Sequence, residues 1–101
     1  MNASAALLQA LLEGEGYGLD LIERVRLRTR GAIRLLHGSV YPALRALERE
    51  GLLRSFSGES ARETGGRPRR YYELTAKGRR LAHSQERAVS GLYRLVPDTS
   101  A

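Results

Sequence analysis

The chain has no cysteine, which excludes disulfides, thiolate metal sites and thiol catalysis in one step. Its only histidines are His37 and His83, far apart and with no Asp/Glu pattern beside them that suits metal binding or a catalytic triad. Glu48 and Glu50 are two positions apart on a helix, so they do not share a face for paired-carboxylate chemistry. No glycine-rich loop lies between a strand and a helix to cradle a phosphate. These absences argue against an enzyme, and no cofactor is expected. No apolar run approaches the roughly 20 residues that cross a bilayer, so no membrane partner is expected either. The first residues, MNASAALLQALLEGEG, lack a basic segment and carry glutamates, unlike a signal peptide, and the expected location is cytoplasmic. Internal repeats and low-complexity tracts are also lacking.

Lysine is nearly absent too: Lys77 is the only one, although seventeen basic residues stand against eleven acidic ones for a net charge of +6. Arginine grips phosphate through paired hydrogen bonds and can read guanine edges, so the bias suits a nucleic-acid partner. It also has a compositional reading, because arginine replaces lysine in G+C-rich genomes. Charge therefore points towards a polyanion without identifying it. What is present in quantity is apolar sequence, 42% of 101 residues, enough for one domain that buries roughly 65% of its unfolded surface.

The chain is organised around His37–Leu53, HGSVYPALRALEREGLL. Val40, Leu44 and Leu47 recur at helical spacing; with Val40 at the centre of the buried face, the other two lie within about 40° of it. Ser39 is the expected cap, Pro42 is expected in the first turn, where its missing N–H is harmless, and Gly51 is expected to end the helix. Ser39, Pro42, Arg45, Ala46 and Arg49 then fall on the far side, which is small and basic. Tyr41 lies at the edge of the buried face with its hydroxyl within reach of a phosphate.

On either side the pattern supplies more elements. Asn2 or Ser4 starts a first helix with the stripe Leu7, Leu8, Leu11 and Leu12. GEGYG (14–18) breaks it, and a second helix follows from about Tyr17 to Thr29, with Leu19, Leu21, Ile22 and Val25 inward. Arg24, Arg26, Arg28 and Arg30 crowd its second half, where cations also favour the helix dipole. Arg30-Gly31 is the stop, and residues 32–36 form an extended link. After Gly51 the period changes. Residues 52–58 and 69–75 are expected strands, with Leu53 and Phe56 in one and Tyr72 and Leu74 in the other; one of Tyr71 and Tyr72 points inward, and the pair serves packing rather than base stacking. A long polar tip joins the strands. Thr75 caps a last helix, 76–96, whose apolar positions approximate a 3.5 repeat that suits another helix. The order helix, helix, helix, strand, strand, helix is that of a winged helix-turn-helix, mainly α with a small β hairpin. The expected division is a DNA-binding unit over 1–75, a dimerisation helix over 76–96 and a tail over 97–101.

At GSVYPALRALEREGLL and GGRPRRYYELTAKGRRL the chain resembles the PadR family of bacterial transcriptional regulators. Gly38, Tyr41, Pro42, Leu44, Leu47, Glu48, Gly51, Leu52 and Leu53 match one half of the family pattern. Gly66, Arg67, Pro68, Arg70, Tyr72, Leu74, Thr75 and Gly78 match the other, and Gly16-Tyr17-Gly18 fits the usual opening of the second helix. The resemblance covers about residues 5–95 and implies a repressor that binds an inverted-repeat operator as a homodimer, joined through its last helix. It also implies that a small molecule, of unidentified kind, releases some members.

The residues expected to meet double-stranded DNA are Ser39, Tyr41, Pro42, Arg45 and Arg49 on the third helix, Arg67, Arg69 and Arg70 on the wing, and Lys77. Arg45 is the expected base reader. A cation at a helix start, as at Lys77, needs a reason, because that end of the dipole prefers negative charge. The expected dimer surface is Leu7, Leu8, Leu11 and Leu12 of the first helix with Leu81, Gln85, Ala88, Val89, Leu92, Tyr93 and Val96 of the last. A rival reading of the same fold is a protein- or RNA-binding module without sequence-specific DNA recognition.

Overall fold

The computed structural model describes residues 2–58 and 69–95, with the side chains of the last helix described through Ala88. The chain runs α1 (Ala3–Leu11), β1 (Gly16–Tyr17), α2 (Gly18–Arg28), α3 (His37–Arg49), β2 (Leu53–Ser57), β3 (Arg70–Leu74) and α4 (Ala76–Leu95). The expected order holds with one addition. Gly16–Tyr17 is a two-residue strand that pairs antiparallel with β3, Gly16 opposite Tyr72 and Tyr17 opposite Tyr71. The hairpin is thus two strands of a three-stranded sheet in the order β1-β3-β2, its β2 and β3 aligned from Leu53–Leu74 to Ser57–Arg70.

Local chemistry sets each boundary. The Asn2 side-chain oxygen accepts the Ala5 N–H at 2.8 Å and starts α1. Helix α2 ends with Arg30 at φ 53° and Gly31 at φ 82°, and the Gly31 N–H reaches back to the Arg26 carbonyl at 2.8 Å. Helix α3 ends the same way at Gly51, φ 77°, with the Gly51 N–H on the Glu48 carbonyl and the Leu52 N–H on the Leu47 carbonyl. That double closure satisfies carbonyls a helix end otherwise leaves free and turns the chain into β2. Thr75 caps α4 as expected, accepting the Gly78 N–H at 3.1 Å.

The start of α3 corrects an expectation. Leu36 holds the cap position without any side-chain bond, and Ser39 is the third helical residue, its N–H already on the Leu36 carbonyl. His37 and Gly38 are helical, so the helix begins earlier than a cap at Ser39 allows. Pro42 is consequently interior rather than in the first turn. It supplies no N–H to the Gly38 carbonyl, and Gly38 is exposed, which leaves that carbonyl open to water.

The core gathers one face of every helix against the inner face of the sheet. Leu7, Leu8, Leu11, Leu21, Val40 and Leu44 are essentially inaccessible, with Leu47, Leu53, Tyr72, Leu74 and Ala82 packed around them. Each such large side chain contributes about 1.5–3 kcal/mol by leaving water. This corrects the assignment of Leu7, Leu8 and Leu11 to a subunit interface: α2, α3 and β3 of the same chain already cover them, and Leu12 is partly buried against the same cluster. Leu19, expected inward, is 49% exposed. Phe56 lies with Tyr71 on the sheet face opposite Leu53, because the two stand three positions apart and side chains alternate along a strand.

Helix α4 is fastened to this body at its first turns. Gly78 lies so close to the Leu52 carbonyl that a Cβ would sit 2.0 Å from the oxygen. One turn on, Ala82 is fully buried and its carbonyl accepts from Gln9 Nε2 at 2.7 Å. Gln85, expected on the dimer seam, is half-buried beside Gln9 of α1. Leu81 and Ala88 are exposed. No helix among the described residues is long and apolar enough to cross a membrane.

Candidate nucleic-acid interface

Val40, Leu44 and Leu47 root α3 in the core, and that rooting decides what its other face presents. Ser39, Pro42, Arg45 and Arg49 are all exposed. Arg45 and Arg49 have no carboxylate partner among the described residues, and both are exposed on that face. Tyr41 is 40% exposed at the edge, as its position one residue after Val40 requires. Its ring and hydroxyl lie against Gly18 at the start of α2, where a Cβ would come within 2.7 Å of them. The third helix and the start of the second therefore meet at the tyrosine.

The other arginines behave differently. Arg24 donates to the carbonyls of Ala10, Gly14 and Glu15 at 2.9–3.0 Å and to Asp20 at 2.8 Å, tying the end of α1 to α2. Arg28 pairs with Glu13. Arg26 hydrogen-bonds Glu23, which holds the Glu23 carboxyl below its ordinary pKa. Much of the basic excess in α2 is thus structural, while among the described residues that of α3 has no carboxylate partner.

Beside α3 lies the wing. Arg69 stacks over the Tyr17 ring at 4.7 Å, Tyr17 meets Tyr71 edge-on at 5.5 Å, and Phe56 stacks on Tyr71 at 5.8 Å. This outer ladder packs the wing onto the strand at residues 16–17, and Tyr72, 3% exposed, fills the core beneath. Arg70 Nη2 donates to Ser55 Oγ at 2.8 Å, and the Ser55 hydroxyl donates to Glu48 of α3. Tyr41, Arg45, Glu48, Arg70 and Tyr72 line one concavity of about 440 Å³ between α3 and the wing. Arg67 lies outside the described residues.

Lys77 is exposed, and its Nζ donates to the Glu50 carbonyl at 2.9 Å. A cation at the start of α4 is explained by the end of α3, whose free carbonyls attract it. Three features of this surface were not legible as such: the Tyr17 platform, the Glu48–Ser55–Arg70 chain and the Lys77 bond. Glu48 did carry a signal, as a carboxylate one position from the buried Leu47 on a basic helix. On the last helix, Val96 and the side chains of Val89, Leu92 and Tyr93 lie outside the described residues.

An exposed basic helix face beside a basic wing is the arrangement of a winged-helix reader of DNA. A sequence profile of the transcriptional regulator PadR-like family matches residues 7–84. The chain belongs to that family. As a PadR-like protein it is a DNA-binding transcription regulator and not an enzyme. Solved structures agree on the fold. A transcriptional regulator from Clostridium thermocellum superposes with TM-score 0.75 at 21% identity, over 97% of this chain and 92% of that one. A PadR-like transcription factor from Bacteroides fragilis gives 0.74 at 28% identity, over 91% and 84%. Bacillus subtilis PadR, solved in complex with operator DNA, gives 0.71 at 23% identity; the match spans 81% of this chain but 45% of that longer protein. No protein of curated description matches.

Proposed function

We propose that this PadR-like regulator is a homodimeric repressor that acts in the cytoplasm and binds an inverted-repeat operator, with Arg45 reading a base edge in the major groove. The supporting observation is the contrast among its arginines: those of α2 are held by carboxylates and carbonyls, whereas Arg45 and Arg49 are exposed on the outer face of α3 with no partner among the described residues. Tyr41, Arg69 and Arg70 border that face and suit phosphate contacts, which fix register without reading sequence. Ser39 and Pro42 complete the surface that approaches the groove. The body formed by α1–α3, the sheet and the first turns of α4 is the DNA-binding unit, and the remainder of α4 is the dimerisation helix. In this arrangement Leu81 and Ala88, exposed in the single chain, join Val89, Leu92, Tyr93 and Val96 at the contact between subunits. Two copies of α3 then lie about 34–36 Å apart, one turn of DNA.

A titration against duplex DNA from upstream of its own gene, at two salt concentrations, tests the reading. A logarithm of affinity that falls steeply with the logarithm of salt, and a preference for a palindromic duplex over RNA, are expected. Equal affinity for every duplex would contradict it.

A further inference from the structure

Glu48 is a carboxylate on the concavity between the recognition helix and the wing, flanked by Arg45 and Arg70. In that place it repels the phosphates that the arginines attract, so a purely electrostatic surface would be better without it. Its contacts supply the reason it is there. It accepts the hydroxyl of Ser55 on β2, and the same Ser55 oxygen accepts Arg70 Nη2 of β3 at 2.8 Å. Arg70 Nη2 also lies 3.9 Å from a Glu48 oxygen. Ser55 has one proton to give, and the carboxylate takes it, which leaves the hydroxyl oxygen turned to the guanidinium. Both wing strands are thereby tied through one hydroxyl to the last turn of α3. Backbone pairing joins β2 to β3, but among the described residues this is the side-chain link between the wing and the outer part of the recognition helix.

We propose that Glu48 is a positioning residue: by holding Ser55 and Arg70 it sets the wing at the angle from which its arginines and the face of α3 meet the same DNA. The inference rests on the DNA-interface reading above. It makes a prediction opposite in sign to that of charge alone. Glu48→Ala raises the net charge by one, so an electrostatic account expects tighter binding. Loss of the tie instead weakens binding by roughly tenfold, since a hydrogen bond to a charged group is worth about a decade or more. It also lowers the salt slope by about one, because a wing that swings free gives up a phosphate contact. Glu48→Gln keeps an oxygen for the Ser55 hydroxyl and binds at least as tightly as the wild type.

The experiment measures affinity for the operator duplex across a salt series for the wild type, Glu48→Ala, Glu48→Gln and Ser55→Ala, with hydrogen exchange of β2 and β3 amides in the free proteins. Weakened binding, a shallower slope and faster exchange in Glu48→Ala and Ser55→Ala, with Glu48→Gln like the wild type, are the expected results. Tighter binding by both Glu48 variants, or unchanged exchange in Glu48→Ala, overturns the proposal. A wild type that fails to bind duplex DNA would remove the interface reading instead, and the exchange rates still decide whether Glu48 holds the wing.

Discussion

Lys77 Nζ donates to the Glu50 carbonyl at 2.9 Å, so the first turn of α4 closes the last turn of α3. The neighbouring carbonyls are taken from the same side: the Thr75 hydroxyl donates to Gly51 at 2.6 Å and the Thr75 N–H to Leu52 at 3.0 Å. With Gly78 seated against Leu52, the helix proposed to face DNA and the helix proposed to join two subunits share one junction.

Lys77→Ala is therefore expected to lower stability rather than DNA contact. A cation on the end of a helix contributes about 0.3–1 kcal/mol at an exposed site. Thermal unfolding should show a small drop in Tm, while the salt slope of DNA binding stays that of the wild type. A slope reduced by about one would instead mark Lys77 as a phosphate contact.

Arg30 adopts φ 53° where glycine is the favoured residue, directly ahead of Gly31. A left-handed conformation costs a non-glycine residue roughly 1–2 kcal/mol, offset in part by the greater chain entropy that glycine loses on folding. Arg30→Gly is expected to stabilise by about 0.5–1 kcal/mol, read as a higher denaturant midpoint with an unchanged slope. An Arg30→Gly chain that unfolds more easily would show that the arginine side chain has a role its backbone conceals.

Leu92 lies on the stripe of α4 that includes the exposed Leu81 and Ala88, and Leu92→Asp is expected to give monomers by light scattering while the fold is retained. A dimer that survives the substitution would place the subunit contact elsewhere.

How much of this was legible in the sequence depends on the distance over which each residue acts. Local signals carry furthest: Gly31, Gly51 and Thr75 bound their elements through contacts only a few residues away, and of the two candidate starts Asn2 and Ser4 it is Asn2 that caps α1. The periodicity of Val40, Leu44 and Leu47 located the buried face of α3 correctly, and strand alternation requires that one of Tyr71 and Tyr72 turn inward, which is Tyr72. Ser39 misled because it has the right chemistry for a cap two residues inside a helix that starts without one. Leu7, Leu8 and Leu11 misled for a different reason. A leucine stripe looks alike whether its cover comes from the same chain or from a second copy, and here α2, α3 and β3 provide it. Bonds across long separations left no periodic trace. Neither the pairing of Gly16–Tyr17 with β3 nor the link from Glu48 to Ser55 and Arg70 follows from any local pattern.

In the proposed complex the exposed arginines of α3 read DNA while the wing grips it. Arg45→Ala and Arg69→Ala separate the two roles when each is titrated against the operator duplex and single-base variants of it at two salt concentrations. Arg45→Ala should lose about 1–3 kcal/mol of discrimination at one base pair of each half-site. Arg69→Ala should weaken all duplexes alike and flatten the salt slope by about one. Undiminished discrimination in Arg45→Ala would rule out Arg45 as the base reader.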